Sequence, residues 1–354
     1  MKKLFAIIPG LFLMAGTSMG QLNSIDFFKG GVHDANYLLK EYVSPWAVAL
    51  GTSLNGGWYN TAKPHSLGGF DITFTANLTL VPDASKTFTI DESKLEFLSL
   101  DDPSLKVAST IAGKQEEGPV LLYEQAGKTL VSFNSPGGTN VDFIPLPMVQ
   151  VGVGLIKGTE LVGRFLPRLN ILDAGSIGLW GIGLKHSIIQ WLPGHKLIPF
   201  ELSLFGGYTR LSSSAGVDFG PSEYTDATVT TTKSFDDQEV KMDVSAWTVN
   251  LLASKTLAVI TLYAGAGYCA TNANLALKGN YPLYHIDDTN PADPVLVIDD
   301  SDVYLDPIDL NVKSLSGLRL NAGFRLKFAV FTIHADYTYA SYSVFTAGLG
   351  FSFR

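Results

Sequence analysis

The chain has one cysteine, Cys269, in 354 residues, so no intrachain disulfide is available to it. Charge is also sparse, at 16% of residues. No apolar run is long enough to cross a bilayer as a helix, which takes about 20 residues. The one pronounced run, Leu4–Leu13, is shorter and follows directly on Lys2 and Lys3. A basic start, a short apolar run and small residues up to Ser18-Met19-Gly20 read as a secretory signal peptide over residues 1–20. Cleavage is expected after Gly20, and no cysteine follows the run, which excludes lipid attachment there. Catalytic and metal motifs are missing as well: there is no H-x-H, no H-E-x-x-H, no paired cysteines, no phosphate loop and no dinucleotide fingerprint. His65 and His186 are each followed at once by serine, which on a strand puts the two side chains on opposite faces. His334 and Asp336 share a face and supply two parts of a triad, but a serine from a neighbouring strand would have to complete it, and Thr332 or Thr338 are poor substitutes. The expectation is a protein that is not an enzyme and takes no cofactor. Removing Lys2 and Lys3 takes the formal charge from −8 to −10, which argues against nucleic acid as a partner.

What the chain does have is alternation. Leu318, Leu320, Ala322, Phe324 and Leu326 alternate with Arg319, Asn321, Gly323 and Arg325. Phe331, Ile333, Ala335, Tyr337 and Tyr339 alternate with Thr332, His334, Asp336 and Thr338, and Phe345–Phe353 repeats the pattern. Strict period two, three times in succession, marks strands. Aromatics at the apolar ends, 35 glycines and 11% aromatic residues suit strands whose apolar side faces lipid. The fold class expected is all-β: an antiparallel transmembrane β-barrel with a short N-terminal helix.

Further strands are expected at Trp46–Trp58, Phe70–Leu80, Thr87–Leu100, Val149–Leu155, Glu160–Leu166, Ser176–His186, Ile198–Tyr208, Val240–Ala253 and Leu257–Cys269. Short connections such as Lys157-Gly158 and Lys327-Phe328 alternate with long ones at 101–145, 209–239 and 271–313, as in barrels with periplasmic turns and outer loops. With the C-terminus in the periplasm, all three long connections fall outside, and Ala340-Ser341 is the one short connection that must join them. Nine strands run from Val149 to the end, so a periplasmic N-terminus demands an odd number before them. Three candidates give 12 strands, within a range of 10–14. Residues 21–45 are expected to be a helical segment capped by Ser24 and stopped by Pro45, either a plug or a periplasmic helix, with the barrel spanning 46–354.

Alternation points Lys185, Glu201, Arg319, Asn321, Arg325, His334 and Asp336 into the lumen. About a turn at Lys327-Phe328, Arg319 is expected directly opposite or diagonal to Asp336, as a brace or as a solute-selecting constriction. The segment 287–309 is rich in aspartate and without Lys or Arg. It is expected to be a solvated acidic loop, with Asp299, Asp300 and Asp302 as weak candidates for a divalent ion.

Thr346, Gly348, Phe351 and Phe353 resemble the C-terminal signal read by the barrel assembly machinery, which that resemblance implies as a partner along with outer-membrane lipid. Arg354 departs from the commonest form, which ends on the aromatic. The segments Gly57-Trp58-Tyr59-Asn60-Thr61-Ala62, Gly69-Phe70-Asp71, Lys157-Gly158-Thr159-Glu160 and Gly183-Leu184-Lys185-His186-Ser187 resemble an uncharacterised family of exported proteins from Bacteroidota. In architecture alone the chain is similar to the long-chain fatty-acid transport barrels, with their N-terminal plug and long outer loops. The function expected is passive passage or binding of a small solute, hydrophobic or otherwise, in the cell outer membrane. The rival is a closed barrel that acts through its outer loops.

Overall fold

Ten strands close on themselves in the computed structural model, which describes residues 23–170, 175–193, 197–224 and 227–353. The signal peptide expected over 1–20 lies outside the described residues. The strands are β1 (Phe70–Leu80), β2 (Phe143–Gly154), β3 (Thr159–Asn170), β4 (Ser176–Ser187), β5 (Glu201–Gly216), β6 (Glu239–Leu257), β7 (Ile260–Lys278), β8 (Ile308–Phe328), β9 (Phe331–Tyr339) and β10 (Ser343–Phe353). Each pairs antiparallel with the next, and β10 returns to β1 in register from Phe70↔Phe353 to Leu80↔Ser343. Closure leaves no unpaired edge, as hydrocarbon requires. Period two does the sorting. Along β1, Ile72, Phe74 and Leu78 are exposed outward, while Thr73, Thr75, Asn77 and Thr79 are buried inward.

The apolar exterior is edged by aromatic rings. Phe70 stacks on Phe353 at 4.9 Å and Phe331 meets Phe351 at 5.0 Å, all near one mouth. Trp180–Tyr208, Trp247–Tyr268 and Tyr337–Phe345 form a second series of outward pairs farther along the strands. Trp247 is ten residues from Leu257, where β6 ends. That spacing matches the 9–11 tilted residues that cross a bilayer. The 19 residues of β6 and β7 and the 21 of β8 therefore project well past the belt.

The strand count is ten rather than twelve because two expected strands are not in the wall. Trp46–Trp58 is mostly helical: α1 runs Gly31–Asn55, preceded by a 3-10 helix at Asn23–Gly30. Pro45 lies inside α1 and does not end it. An internal proline costs a helix about 3 kcal/mol, and here packing offsets it, since Val43, Ala47, Val48 and Ala49 are all buried. The small residues that read as a glycine-rich strand are the thin side of a helix against a wall: a Cβ on Gly51 would sit 2.8 Å from Thr271 Cβ. The helix N-cap is Gly30, with no side-chain capping bond. Thr87–Leu100 lies within the first long connection, where only Thr87–Thr89 and Ser99–Leu100 are extended. Losing two strands keeps the count even, but for a different reason than parity gave: the first described residues lie at the loop end and the chain recrosses the lumen before β1 starts at the turn end. The barrel proper begins at Phe70 rather than Trp46.

Turns at 155–158, 188–200, 258–259 and 329–330 share one end with Phe70 and Phe353. Connections 81–142, 217–238 and 279–307 share the other, together with 340–342, and β3 ends and β4 begins there with Asn170 opposite Ser176, so Ala340-Ser341 is not the sole short link at that end. The long connections fold over the loop end as a cap, and the chain's first described residues are built into it. Phe28 stacks on Tyr281 at 5.4 Å and meets Phe219 at 6.1 Å, while Phe27 packs on Phe133 and Tyr42. Tyr284 donates to the Lys29 carbonyl. The buried Asp34 carboxylate accepts from the amides of Glu96, Phe97 and Leu98 at 2.6, 3.0 and 2.8 Å, fixing α1 to the first loop.

Candidate functional site

From that cap the chain descends through the barrel to the turn end, where it enters β1. The plug is this whole segment, numbered 31–69. At the foot of α1 the last carbonyls, which carry the negative end of the helix dipole, meet cationic and amide donors from the wall. Arg164 of β3 donates to the carbonyls of Leu54 at 2.9 Å and Gly56 at 3.1 Å, and its guanidinium stacks 3.3 Å from the Trp58 ring centre. Asn77 of β1 donates to the Ser53 carbonyl at 2.7 Å.

Below lies an aromatic layer across the lumen. Trp58 and Tyr59 pack on Phe205 at 5.3 and 5.6 Å, and Tyr59 meets Tyr263 at 6.4 Å. Gly183 and Gly207 make room: a Cβ on either would fall 2.7–2.8 Å from the rings of Phe205 or Trp58. Tyr59 donates to Asn321 at 2.8 Å, and Gln150 donates to the Trp58 carbonyl.

At the turn end the strap is pinned by a charged clamp. Glu160 accepts from the His65 amide at 2.8 Å, meets His65 Nδ1 at 2.8 Å and pairs with Lys185 at 2.8 Å. His65 Nε2 lies 3.2 Å from Ser352 Oγ, and Asp71 is 3.7 Å from His65. Ser203 donates to the Ala62 carbonyl, Ser254 holds Thr61 and Ala62, and Lys63 pairs with Glu201 at 3.6 Å. Strands β1 to β6, β8 and β10 thus all hydrogen-bond or ion-pair with the plug. Among the described residues β7 and β9 do neither, β7 meeting the plug through the Tyr59–Tyr263 ring contact.

Six of the seven residues placed in the lumen by alternation are buried there: Lys185, Arg319, Asn321, Arg325, His334 and Asp336. Glu201 sits at the mouth with its side chain 36% exposed. Arg319 and Asp336 do not pair. The β8–β9 turn is Ala329-Val330, with Ala329 at φ 53°, and Lys327 and Phe328 belong to β8. Asp336 is opposite Gly323, so Arg319 is four residues beyond it. Arg319 instead donates to Asn250 at 3.3 Å, Thr338 at 3.4 Å and Thr248 at 3.5 Å, while Asp336 accepts from Tyr263 at 2.9 Å. Thr338 also donates to Asp336, so one hydroxyl links the two charges. His334 and Asp336 share no hydrogen bond. Glu160, Arg164 and Asp71 were not singled out from the sequence, although the alternation that selected Lys185 covers them. The role of Trp58 had no sequence signal once Trp46–Trp58 was read as wall, nor had those of Tyr59 and His65 in the connection that follows it.

Two groups bring three metal-ligating atoms within 4.8 Å of one another: His65, Asp71 and Glu160, and His285, Asp299 and Asp302. In the first, the Lys185 ammonium already supplies the cation. In the second, Asp302 accepts from the Asp299 amide and meets His285 at 2.8 Å, and Asp299 accepts from Ser301, which is a helix capping box. Asp300 is elsewhere, accepting from Thr231 and Thr232. The three aspartates thus act as loop staples, and local hydrogen bonding holds Asp299 and Asp300 below the usual carboxylate range.

The sequence profile of a family described only as one of unknown function, DUF6588, matches residues 1–353. The chain belongs to that family. No curated protein matches it. Among solved structures it is similar to Ail, the attachment invasion locus protein of Yersinia pestis, crystallised with the heparin analogue sucrose octasulfate: 9% identity, 81% of this chain and 99% of Ail, TM-score 0.26. It is also similar to the translocator domain of the autotransporter NalP from Neisseria meningitidis: 10% identity, 91% of this chain and 98% of that one, TM-score 0.30. These likenesses concern the fold, an outer-membrane type of barrel, and carry nothing further.

Proposed function

We propose that this family member is a closed outer-membrane barrel that presents its loop cap as an interaction surface at the cell exterior. The observation that carries this reading is the plug, which crosses the lumen from the loop end to the turn end and is bonded to eight of the ten strands. Passive passage of a solute needs an open lumen, and the aromatic layer at Trp58, Tyr59, Phe205 and Tyr263 lies across the path. The cap, by contrast, is a folded body with its own core. Phe28, Phe219, Tyr281, Leu296 and Ile298 are buried in it, well beyond the lipid belt. Strands β6 to β8 outrun the bilayer to carry it. The short turns then face the periplasm, the cap faces outward, and lipid and the assembly machinery that reads Thr346–Phe353 are the partners of the wall.

The test is conductance in a planar bilayer with the purified full-length protein. Insertion without steady ion current is expected. A stable open channel in most insertion events refutes the closed-barrel reading and restores passive passage.

A further inference from the structure

The plug makes no hydrogen bond or ion pair with β9 among the described residues, and the wall around that strand, which Gly57 of the plug packs against at Thr75, is chemically unusual. One rung of the barrel reads Thr75, Gly348, His334, Arg325 across β1, β10, β9 and β8, each the direct cross-strand neighbour of the next. All three side chains of this rung are nine-tenths or more buried: Thr75 is 3% exposed, His334 2% and Arg325 7%. Thr75 Oγ1, His334 Nδ1 and Arg325 Nε have no hydrogen-bond partner. Among the described residues, Arg325 makes no hydrogen bond and no ion pair through any of its nitrogens, and His334 makes none through either ring nitrogen.

Unpartnered buried polar groups are costly, and an unpaired buried guanidinium is the costliest of them. The neighbouring carboxylates do not satisfy it. Glu160 is taken by His65 and Lys185, and Asp71 by Thr73 and His65. Lys327, two residues from Arg325 on the same face, donates to Ser352. The turn-end half of the lumen sets Lys185, Arg325 and Lys327 against Asp71 and Glu160, and the next carboxylate, Asp336 one rung from His334, is already taken by Tyr263 and Thr338. All three orphaned groups can donate: a hydroxyl, an imidazole N–H and a guanidinium fork. Gly348 between them adds no side chain, and a Cβ there would run into the His334 ring.

We propose that the Thr75–His334–Arg325 rung binds a small oxyanion, a carboxylate or phosphate group, that enters from the periplasmic mouth. Arg325 is three residues from the end of β8, about 10 Å along the strand, and it lies on the turn side of the aromatic layer. Binding there does not depend on the lumen being closed above. The guanidinium supplies the counter-charge and a bidentate face, and Thr75 and His334 fix the remaining oxygens.

The test is calorimetric titration of the full-length barrel in detergent with inorganic phosphate and, separately, with acetate, ionic strength being held constant with chloride. One site per barrel is expected for at least one of the two anions, and the pair of titrations tells a phosphate site from a carboxylate site. Arg325→Gln should weaken binding about tenfold or more, as loss of a charge-assisted bidentate contact does. Arg325→Lys should weaken it less, and Thr75→Val, which keeps the shape, should weaken it measurably. Heat-modifiable migration on gels checks that each variant folds, and Arg325→Lys carries the comparison if the glutamine variant does not. Absence of saturable binding of both anions at millimolar concentration overturns the proposal, as does binding that is unchanged in folded Arg325 variants.

Discussion

Replacing Arg164 with alanine should unseat the plug while leaving the wall intact. The side chain makes two hydrogen bonds, 2.9 and 3.1 Å long, to the carbonyls of Leu54 and Gly56, and stacks 3.3 Å from the Trp58 ring. Hydrogen bonds to a charged group contribute about 1.5–3 kcal/mol each, and a desolvated cation–π contact about 2 kcal/mol. Against this gross gain stands the desolvation of a guanidinium that is only 2% exposed, a cost of several kcal/mol that the variant escapes. What remains is chiefly the Gly56 carbonyl left without a donor and the Leu54 carbonyl held only by the long Thr209 bond at 3.5 Å, at about 1–3 kcal/mol each. A net loss of about 3 kcal/mol is the working figure, which is about a hundredfold in the opening equilibrium. Hydrogen exchange reads this directly, because amides report the opening of their own cooperative unit. Amides from Ser53 to Ala62 should exchange about a hundredfold faster in Arg164→Ala, and those of β1 to β10 at the wild-type rate. Arg164→Lys keeps the charge but not the fork and should fall between. Unchanged protection of Ser53–Ala62 refutes the assignment of Arg164 as the plug's anchor. Equal loss over plug and wall shows a barrel brace instead.

Gly207→Val should lower thermal stability by about 1–3 kcal/mol, because its Cβ would lie 2.8 Å from the rigid Trp58 ring; a melting temperature equal to wild type counts against a tightly filled lumen. Asp34→Ala strands three amides at Glu96, Phe97 and Leu98 and should destabilise the cap by about 2–4 kcal/mol; limited proteolysis should then cut within 91–100 first. His33 hydrogen-bonds the Asp34 carboxylate, which raises its pKa above the ordinary 6.5. That coupling favours the folded cap at acidic pH and fades as pH rises through the raised value. An NMR titration should show a His33 midpoint above 6.5 in wild type that returns toward it in Asp34→Asn. Finally, a cysteine at His33, whose side chain is 57% exposed on the cap, should react with a bulky impermeant maleimide on intact cells. A cysteine at Leu197, 89% exposed at the turn end, should react only after the outer membrane is opened; the reverse pattern inverts the orientation.

Period-two alternation made the barrel legible, because on a strand it assigns every residue to one face regardless of what lies beyond. It placed the last three strands, set the two ends by parity and turned Lys185, Asn321, Arg325 and His334 inward. It failed where the local signal was shared. Small residues at Trp46–Trp58 serve a thin helix as well as a strand, and only the surrounding wall, through Asn77 and Arg164, caps that helix. It failed again at the β8–β9 turn, where Ala329 adopts the left-handed conformation without being glycine. That moved the turn two residues, shifted the cross-strand register by four and dissolved the expected Arg319–Asp336 pair.

By itself, then, the sequence determined that this chain is a barrel and which side chains line its interior, since face selection is local. The tertiary structure alone decided how many strands close it, which residues meet across it and that its own N-terminal segment fills it. Those depend on register, curvature and burial summed over distant segments. The same packing left Arg325 and His334 without partners, on and beside β9, a strand the plug does not bond.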